Sequence, residues 1–257
     1  MPASVFLAGA MMIPALLATG CAASTGTPAA AGASTSMGTV GGNSPSTAPA
    51  SGAADPAATA SGLPGSVWVS PAQIPLDSSY HWQSPSGLAQ GGNLVFQFED
   101  LCETSIPASV GALDGQFTTA TATMTGNASS SGNNDWVAKE TITHDPSVDS
   151  GSDQVAFGAF TDLVASLKTC AQSQGVHMTV TTDSGENFAA TATIPTSTGA
   201  TLTVHDYVTV PDGTLVELAL WAAPYAGNSV SVPWAKVSDA SVLSAISSPV
   251  CGTYHDC

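Results

Sequence analysis

Residues 200–223 read ATLTVHDYVTVPDGTLVELALWAA. Two runs rich in Val, Thr, Leu and aromatic residues flank Pro-Asp-Gly. Proline pre-sets φ for a turn and glycine supplies the positive φ that closes it, so the stretch reads as a β-hairpin with strands over 200–210 and 214–223. In the second strand Val216, Leu218 and Leu220 share one face, and Leu215, Glu217, Ala219 and Trp221 share the other. Both faces are largely apolar, which is the pattern of a strand covered on two sides. It is expected at the centre of a sheet.

Working outward, FAATATI (188–194) and VHMTVTT (176–182) read as two further strands. Before them, QVAFGAFTDLVASLKTCAQSQG (154–175) carries the longest helical pattern. Ser152 or Asp153 is expected to cap it. Val155, Phe157 and Phe160 begin its apolar positions, and Leu163, Val164 and Leu167 continue them. Lys168 suits its last turns and Gly175 its end. Earlier still, GQFTTATATMTG (115–126) and WVAKETITH (136–144) form a second hairpin, with Phe117, Thr119, Thr121 and Thr123 on one face. NLVFQF (93–98) reads as a strand. In SPAQIP (70–75), Ser70 and Pro71 open one helical turn. At the other end, Ser238 caps a short helix with Val242, Leu243 and Ile246 inward, ending before Pro249. Strands, a long helix, four strands and a helix, without regular βαβ alternation, give an α+β fold. The expected architecture is a twisted antiparallel sheet with the long helix packed on one face, preceded by a disordered tether.

The tether follows from the first 65 residues. Residues 3–18, ASVFLAGAMMIPALLA, form an apolar run with the length of a signal-peptide core, short for a membrane span and interrupted by Pro14. Thr19 and Gly20 then lead to Cys21. The arrangement resembles a lipobox, in which Cys21 becomes the lipidated first residue. Leu17 stands one position earlier than the usual leucine, and the missing basic stretch places the true start upstream. An ordinary signal peptide cut near Ala22 or Ala23 is the alternative. Residues 22–65 are almost entirely Ala, Ser, Thr, Gly and Pro, too poor in apolar area to offset chain entropy. The organisation expected is a signal peptide over 1–20, an anchored tether over 21–65, and one domain over 66–257. Such a protein sits on the extracytoplasmic face of the cell membrane. The lone sequon at Asn127 reads as a chance match.

The 257-residue chain carries 19 acidic residues against three lysines, Lys139, Lys168 and Lys236, and no arginine, for a formal charge of −16. Nucleic acid is excluded as a partner, since nothing would replace its counterions. Phosphorylated and sulfated ligands lack guanidinium donors to receive them. The four cysteines of the domain, Cys102, Cys170, Cys251 and Cys257, are even in number and imply two disulfides. Of three connectivities, the expected one pairs Cys102 with Cys170 and Cys251 with Cys257. No spacing suits zinc, and no metal or other cofactor is expected.

Three stretches, WVSPAQIPLDSSYHW, VAFGAFTDLVASLKTC and VHDYVTVPDGTLVELALW, resemble the PknH-like extracellular sensor domain, over about residues 68–248. That family occurs in receptor kinases and as free actinobacterial lipoproteins. The resemblance implies an α/β sandwich with a cleft, two disulfides, a sensing role and no catalysis. Family members often carry arginines and a Trp-x-x-Cys segment, and this chain has neither.

The residues themselves offer little catalytic chemistry. There is no Gly-x-Ser-x-Gly and no phosphate-binding glycine loop. His81, His144, His177, His205 and His255 are scattered, and His205 and Asp206 should point to opposite faces of a strand. Glu99, Asp100 and Glu103, and Asp145, Asp149 and Asp153, read as solvated acidic loops. Aromatic residues are the remaining candidates. Tyr80 and Trp82 flank His81, and Trp221, Tyr225 and Trp234 surround the exit from the last strand. A ligand is expected between the sheet and these segments. The charge balance restricts it to neutral, apolar or cationic molecules of the cell envelope, bound by a monomer. A cell-wall hydrolase using a carboxylate pair and a structural wall spacer are the alternatives.

Overall fold

The computed structural model describes residues 62–90, 96–102, 105–113, 117–124, 126, 134–147, 151–172, 175–211, 213–225 and 227–254. Cys21, the expected signal segment, nearly all of the expected tether, Asn127, His255 and Cys257 lie outside them. Leu63, near the start of the described residues, is already buried. Two 3₁₀ turns, Gly65–Val67 and Pro71–Gln73, and helix α1 (Asp77–Tyr80) come first. Strand β1 (Ser86–Gln90), helix α2 (Gln97–Leu101) and helix α3 (Ala108–Leu113) follow. Next are β2 (Thr118–Met124), β3 (Val137–His144) and the long helix α4 (Ser152–Cys170). Strands β4 (His177–Ser184), β5 (Asn187–Pro195), β6 (Thr201–Thr209) and β7 (Thr214–Ala222) lead to α5 (Asp239–Tyr254).

The strands form one antiparallel seven-stranded sheet in the order β1-β2-β3-β7-β6-β5-β4. β7 lies at its centre, as its two apolar faces require. The β6–β7 hairpin closes with Gly213 at φ 64° and the Thr214 N–H donating to the Pro211 carbonyl at 2.9 Å.

Both faces of the sheet are covered. On one, Ala156, Ala159, Phe160, Leu163, Val164 and Leu167 of α4 pack against Phe188, Ala190, Ala192, Val204, Val208 and Leu215. On the other, Val242, Leu243, Ile246 and Val250 of α5 join residues 63–82 over Ala122, Met124, Ile142, Leu218 and Leu220.

Three expectations are corrected. Val155 and Phe157 do not open the buried stripe of α4; they are 46% and 45% exposed. Ala156 and Ala159 take those places, and their small side chains let the helix lie close to the sheet. Phe96–Phe98 are not strand, for α2 begins at Gln97. The C-terminal helix does not stop before Pro249 but runs through it to Tyr254. Proline removes one intrahelical hydrogen bond there, and tertiary contacts hold the last turn. Val250 is buried, Tyr254 stacks on His144 with ring centroids 3.6 Å apart, and the Thr253 hydroxyl donates to Ser66 at 2.9 Å.

Candidate functional site

The aromatic residues singled out from the sequence do not assemble into one place. Tyr80 and Trp82 are 2% and 4% exposed and belong to the core. His81 takes the left-handed conformation at φ 47°, and the Asp77 carboxylate accepts the Trp82 N–H at 2.9 Å. That turn drives both rings inward, where they stack at 4.8 Å. The Trp82 indole donates to the Pro75 carbonyl, and the Tyr80 hydroxyl accepts the Trp136 N–H. Their ring area is thus spent on packing. Trp221 packs on the α4 side of the sheet and Trp234 on the α5 side. Tyr225 is 60% exposed.

Trp234 does form part of a cavity. After β7 the chain crosses back over the sheet, held by the Ser231 N–H on the Asn134 carbonyl (2.9 Å) and the Trp136 indole on the Val232 carbonyl (2.9 Å). This places the Trp234 ring flat on His205, centroids 3.6 Å apart and 8° from parallel, with Trp136 tilted against both. Beside them lies a cavity of about 350 Å³. Its sheet side is Thr181, Thr191, His205 and Tyr207, and its other wall is Trp234, Lys236, Ser238 and Asp239. His205 Nδ1 pairs with the Thr191 hydroxyl at 3.0 Å, and Asp239 accepts from the Thr182 hydroxyl at 2.8 Å. Burial lowers the imidazole to about 4, against the pull of Asp239, so His205 is neutral at pH 7. One lysine and one carboxylate then balance, in a lining otherwise of hydroxyl and aromatic groups with the aliphatic Ala190 and Val237.

A second set of groups escaped the sequence reading. Four carboxyl side chains are buried among the described residues: Glu99, Glu140, Asp206 and Glu217, all 1% exposed or less. Glu217, on the α4 face of β7, accepts the N–H groups of Gln97 (2.7 Å) and Phe98 (3.0 Å), which open α2. This explains why that stretch turns helical, since its first N–H groups need acceptors. On the neighbouring strand β6, no donor meets hydrogen-bond geometry at either Asp206 oxygen, although the Tyr207 amide is near. The carboxyl in reach is Glu217, and two carboxyls bond only by sharing a proton. Burial and the Glu217 charge hold Asp206 well above the usual range. Burial raises Glu217 too, opposed by the two N–H groups and by Lys139. Glu99 is pushed up to about 7 by burial and by Glu217. On the opposite face Glu140 accepts the Val69 N–H with both oxygens (3.0 and 3.3 Å), and burial pushes it up to about 8. The only sequence signal was an acidic residue in each of three strand patterns. Asp206 and His205 do point to opposite faces.

All four carboxyl groups are enclosed by protein. Among the described residues no group of three or more His, Cys, Asp or Glu side chains is disposed to hold a metal ion. Cys102 is joined to Cys170 across 68 positions. Cys251 is also disulfide-bonded, and its expected partner Cys257 lies outside the described residues. No helix among the described residues is long and apolar enough to cross a membrane. Compared with known proteins, the chain matches no family model and no curated relative.

Proposed function

We propose that this protein is a cell-surface lipoprotein whose domain binds a small ligand without converting it, as a sensor does. The observation that carries this reading is the cavity of about 350 Å³ between the sheet and residues 234–239, with its net-neutral, hydroxyl-rich and aromatic lining. The apolar leader ending at Cys21, the tether composition, the disulfides and the resemblance to PknH-like sensor domains support the same reading. The ligand is a small neutral or cationic polar molecule. The excess of carboxylates and the absence of arginine disfavour anions.

The test is a thermal-shift series against neutral sugars, amines and amino acids, with phosphorylated and sulfated compounds alongside. A ligand present at one hundred times its Kd stabilises by about 2.7 kcal/mol, raising the midpoint by roughly 5–10 °C in a domain of this size. Trp234→Ala should remove that shift. Stabilisation by anions alone, or a shift that survives Trp234→Ala, contradicts the assignment. The anchor is tested separately: Cys21→Ala should release the protein into the medium. Membrane retention of that variant, with no lipid mass on the parent, would refute lipidation.

A further inference from the structure

A larger cavity, about 690 Å³, lies toward the C-terminal half of α5, away from Trp234. Separate segments converge on it. They are the first turns of α4 with Asp153 and Phe157, the β4–β5 turn with Glu186, the β6–β7 turn with Pro211, and α5 with Cys251. Cys251 is disulfide-bonded, and the Pro211 carbonyl accepts the Thr214 N–H within the hairpin turn.

Phe157 is the informative wall residue. It is 45% exposed on the longest helix of the domain, while Ala156, Ala159 and Phe160 supply the buried stripe. Packing does not require an aromatic ring at 157. The ring stands 6.2 Å from that of Phe160, so the apolar wall of the groove continues into the core. Electrostatics define the rest. Asp153 and Glu186 are both exposed carboxylates lining the groove, and no lysine is among its described lining residues. Asn187, also in the lining, is neutral and accepts the Thr209 hydroxyl at 3.0 Å. In a chain of charge −16 this is a place where a positive group gains and a negative group is repelled.

We infer that this groove is a binding site for a short peptide carrying cationic side chains beside an aromatic or apolar one. The aromatic group packs on Phe157 and Pro211, and the ammonium groups face Asp153 and Glu186. The cavity volume is in the range that takes molecules of this size. The carboxylates are at the surface, so the attraction is screened, and affinity should fall as salt is raised. The site is independent of the Trp234 cavity.

The probe is the tripeptide Lys-Trp-Lys, titrated calorimetrically into the full chain at low salt, with Ser-Trp-Ser and Glu-Trp-Glu for comparison. Lys-Trp-Lys should bind at least tenfold more tightly than Ser-Trp-Ser, and Glu-Trp-Glu should give no binding. Phe157→Ala, and the pair Asp153→Asn with Glu186→Gln, should each weaken Lys-Trp-Lys at least tenfold. Asp162→Asn, an exposed carboxylate further along α4, and Trp234→Ala should leave it unchanged. The exposure of Phe157 makes its truncation compatible with folding. The proposal is overturned if no heat appears at millimolar peptide, or if Glu-Trp-Glu binds equally well. It is also overturned if Asp162→Asn weakens binding as much as the groove variants do, since attraction to total charge would then explain it.

Discussion

Melting temperature should fall as pH is raised from 5 to 8, by on the order of 10 °C, with the fall easing as pH passes about 7 and then about 8. The sign follows from the buried carboxyls. Glu140 is held at about 8 and Glu99 at about 7, and Asp206 is raised well above its ordinary value. Unfolding returns each to the ordinary carboxylate range. Between those limits the folded chain holds protons that the unfolded chain releases, so stability declines as pH rises. Each such group contributes up to about 1.4 kcal/mol per pH unit. The stabilisation is complete below the unfolded carboxylate values and lost as pH passes the folded ones. His205 acts in the opposite sense. Its lowered value, about 4, adds stability as pH rises toward 6.5, which blunts the lower part of the fall and not the upper. Glu140→Gln keeps an oxygen for the Val69 N–H and removes the titrating group, so it should flatten the curve and raise the midpoint at pH 8. A midpoint that rises from pH 5 to 8 in the parent, or an unchanged slope in Glu140→Gln, would show that Glu140 does not enter the folded core protonated.

Loss of the Cys102–Cys170 bridge should be comparably costly. The bond follows directly on α2 and joins it to the last residue of α4, across 68 positions of chain. Closing a loop of that length restricts the unfolded chain by roughly 4 kcal/mol in the loop-entropy picture. The double variant Cys102→Ala/Cys170→Ala should therefore melt roughly 10 °C lower. Cys170 is fully buried and Cys102 nearly so. Reductant alone should thus leave the parent folded until denaturant opens it. A double variant within 2 °C of the parent would mean that packing of α2 and α4 against the sheet already restricts the chain as much as the bond does.

The centre of the fold was readable because its signals are local. Pro211 and Gly213 set the hairpin turn, and β7 is apolar on both faces whichever neighbours it finds. Phe160, Leu163, Val164 and Leu167 of α4 are buried as expected, and only its first turns differ, because Val155 and Phe157 outweigh Ala156 and Ala159 in any apolar count. Only the distance of closest approach to the sheet reveals that alanine belongs there. NLVFQF has strand composition, and its conversion to helix at Gln97 depends on a carboxylate 120 positions away. Tyr80 and Trp82 looked like a binding pair because aromatic residues beside histidine serve either use. The left-handed turn at His81, invisible in composition, decided for the core. The buried carboxyls were the largest omission, for a single Glu in a strand reads as a surface residue until the opposite layer is known. The cavity at Trp234 combines β4, β5 and β6 with a segment well beyond β7, so no single stretch of sequence contains it.

The strand that lies in the middle of the sheet is the last to be synthesised. Its partner β3 lies on the other side of α4 and three further strands, and His144 meets Thr214 across 70 positions. Without residues 214–222 the strand order leaves two groups, β1 to β3 and β4 to β6, each with an edge that only β7 pairs. Contacts of such long sequence separation form slowly. A chain threaded outward from its N-terminus must hold these apolar edges apart while it waits. A fragment ending before Thr214 retains both open edges permanently and is predisposed to pair with its own copies. Completion of this domain is therefore a single late event in which one strand joins two unfinished sheets.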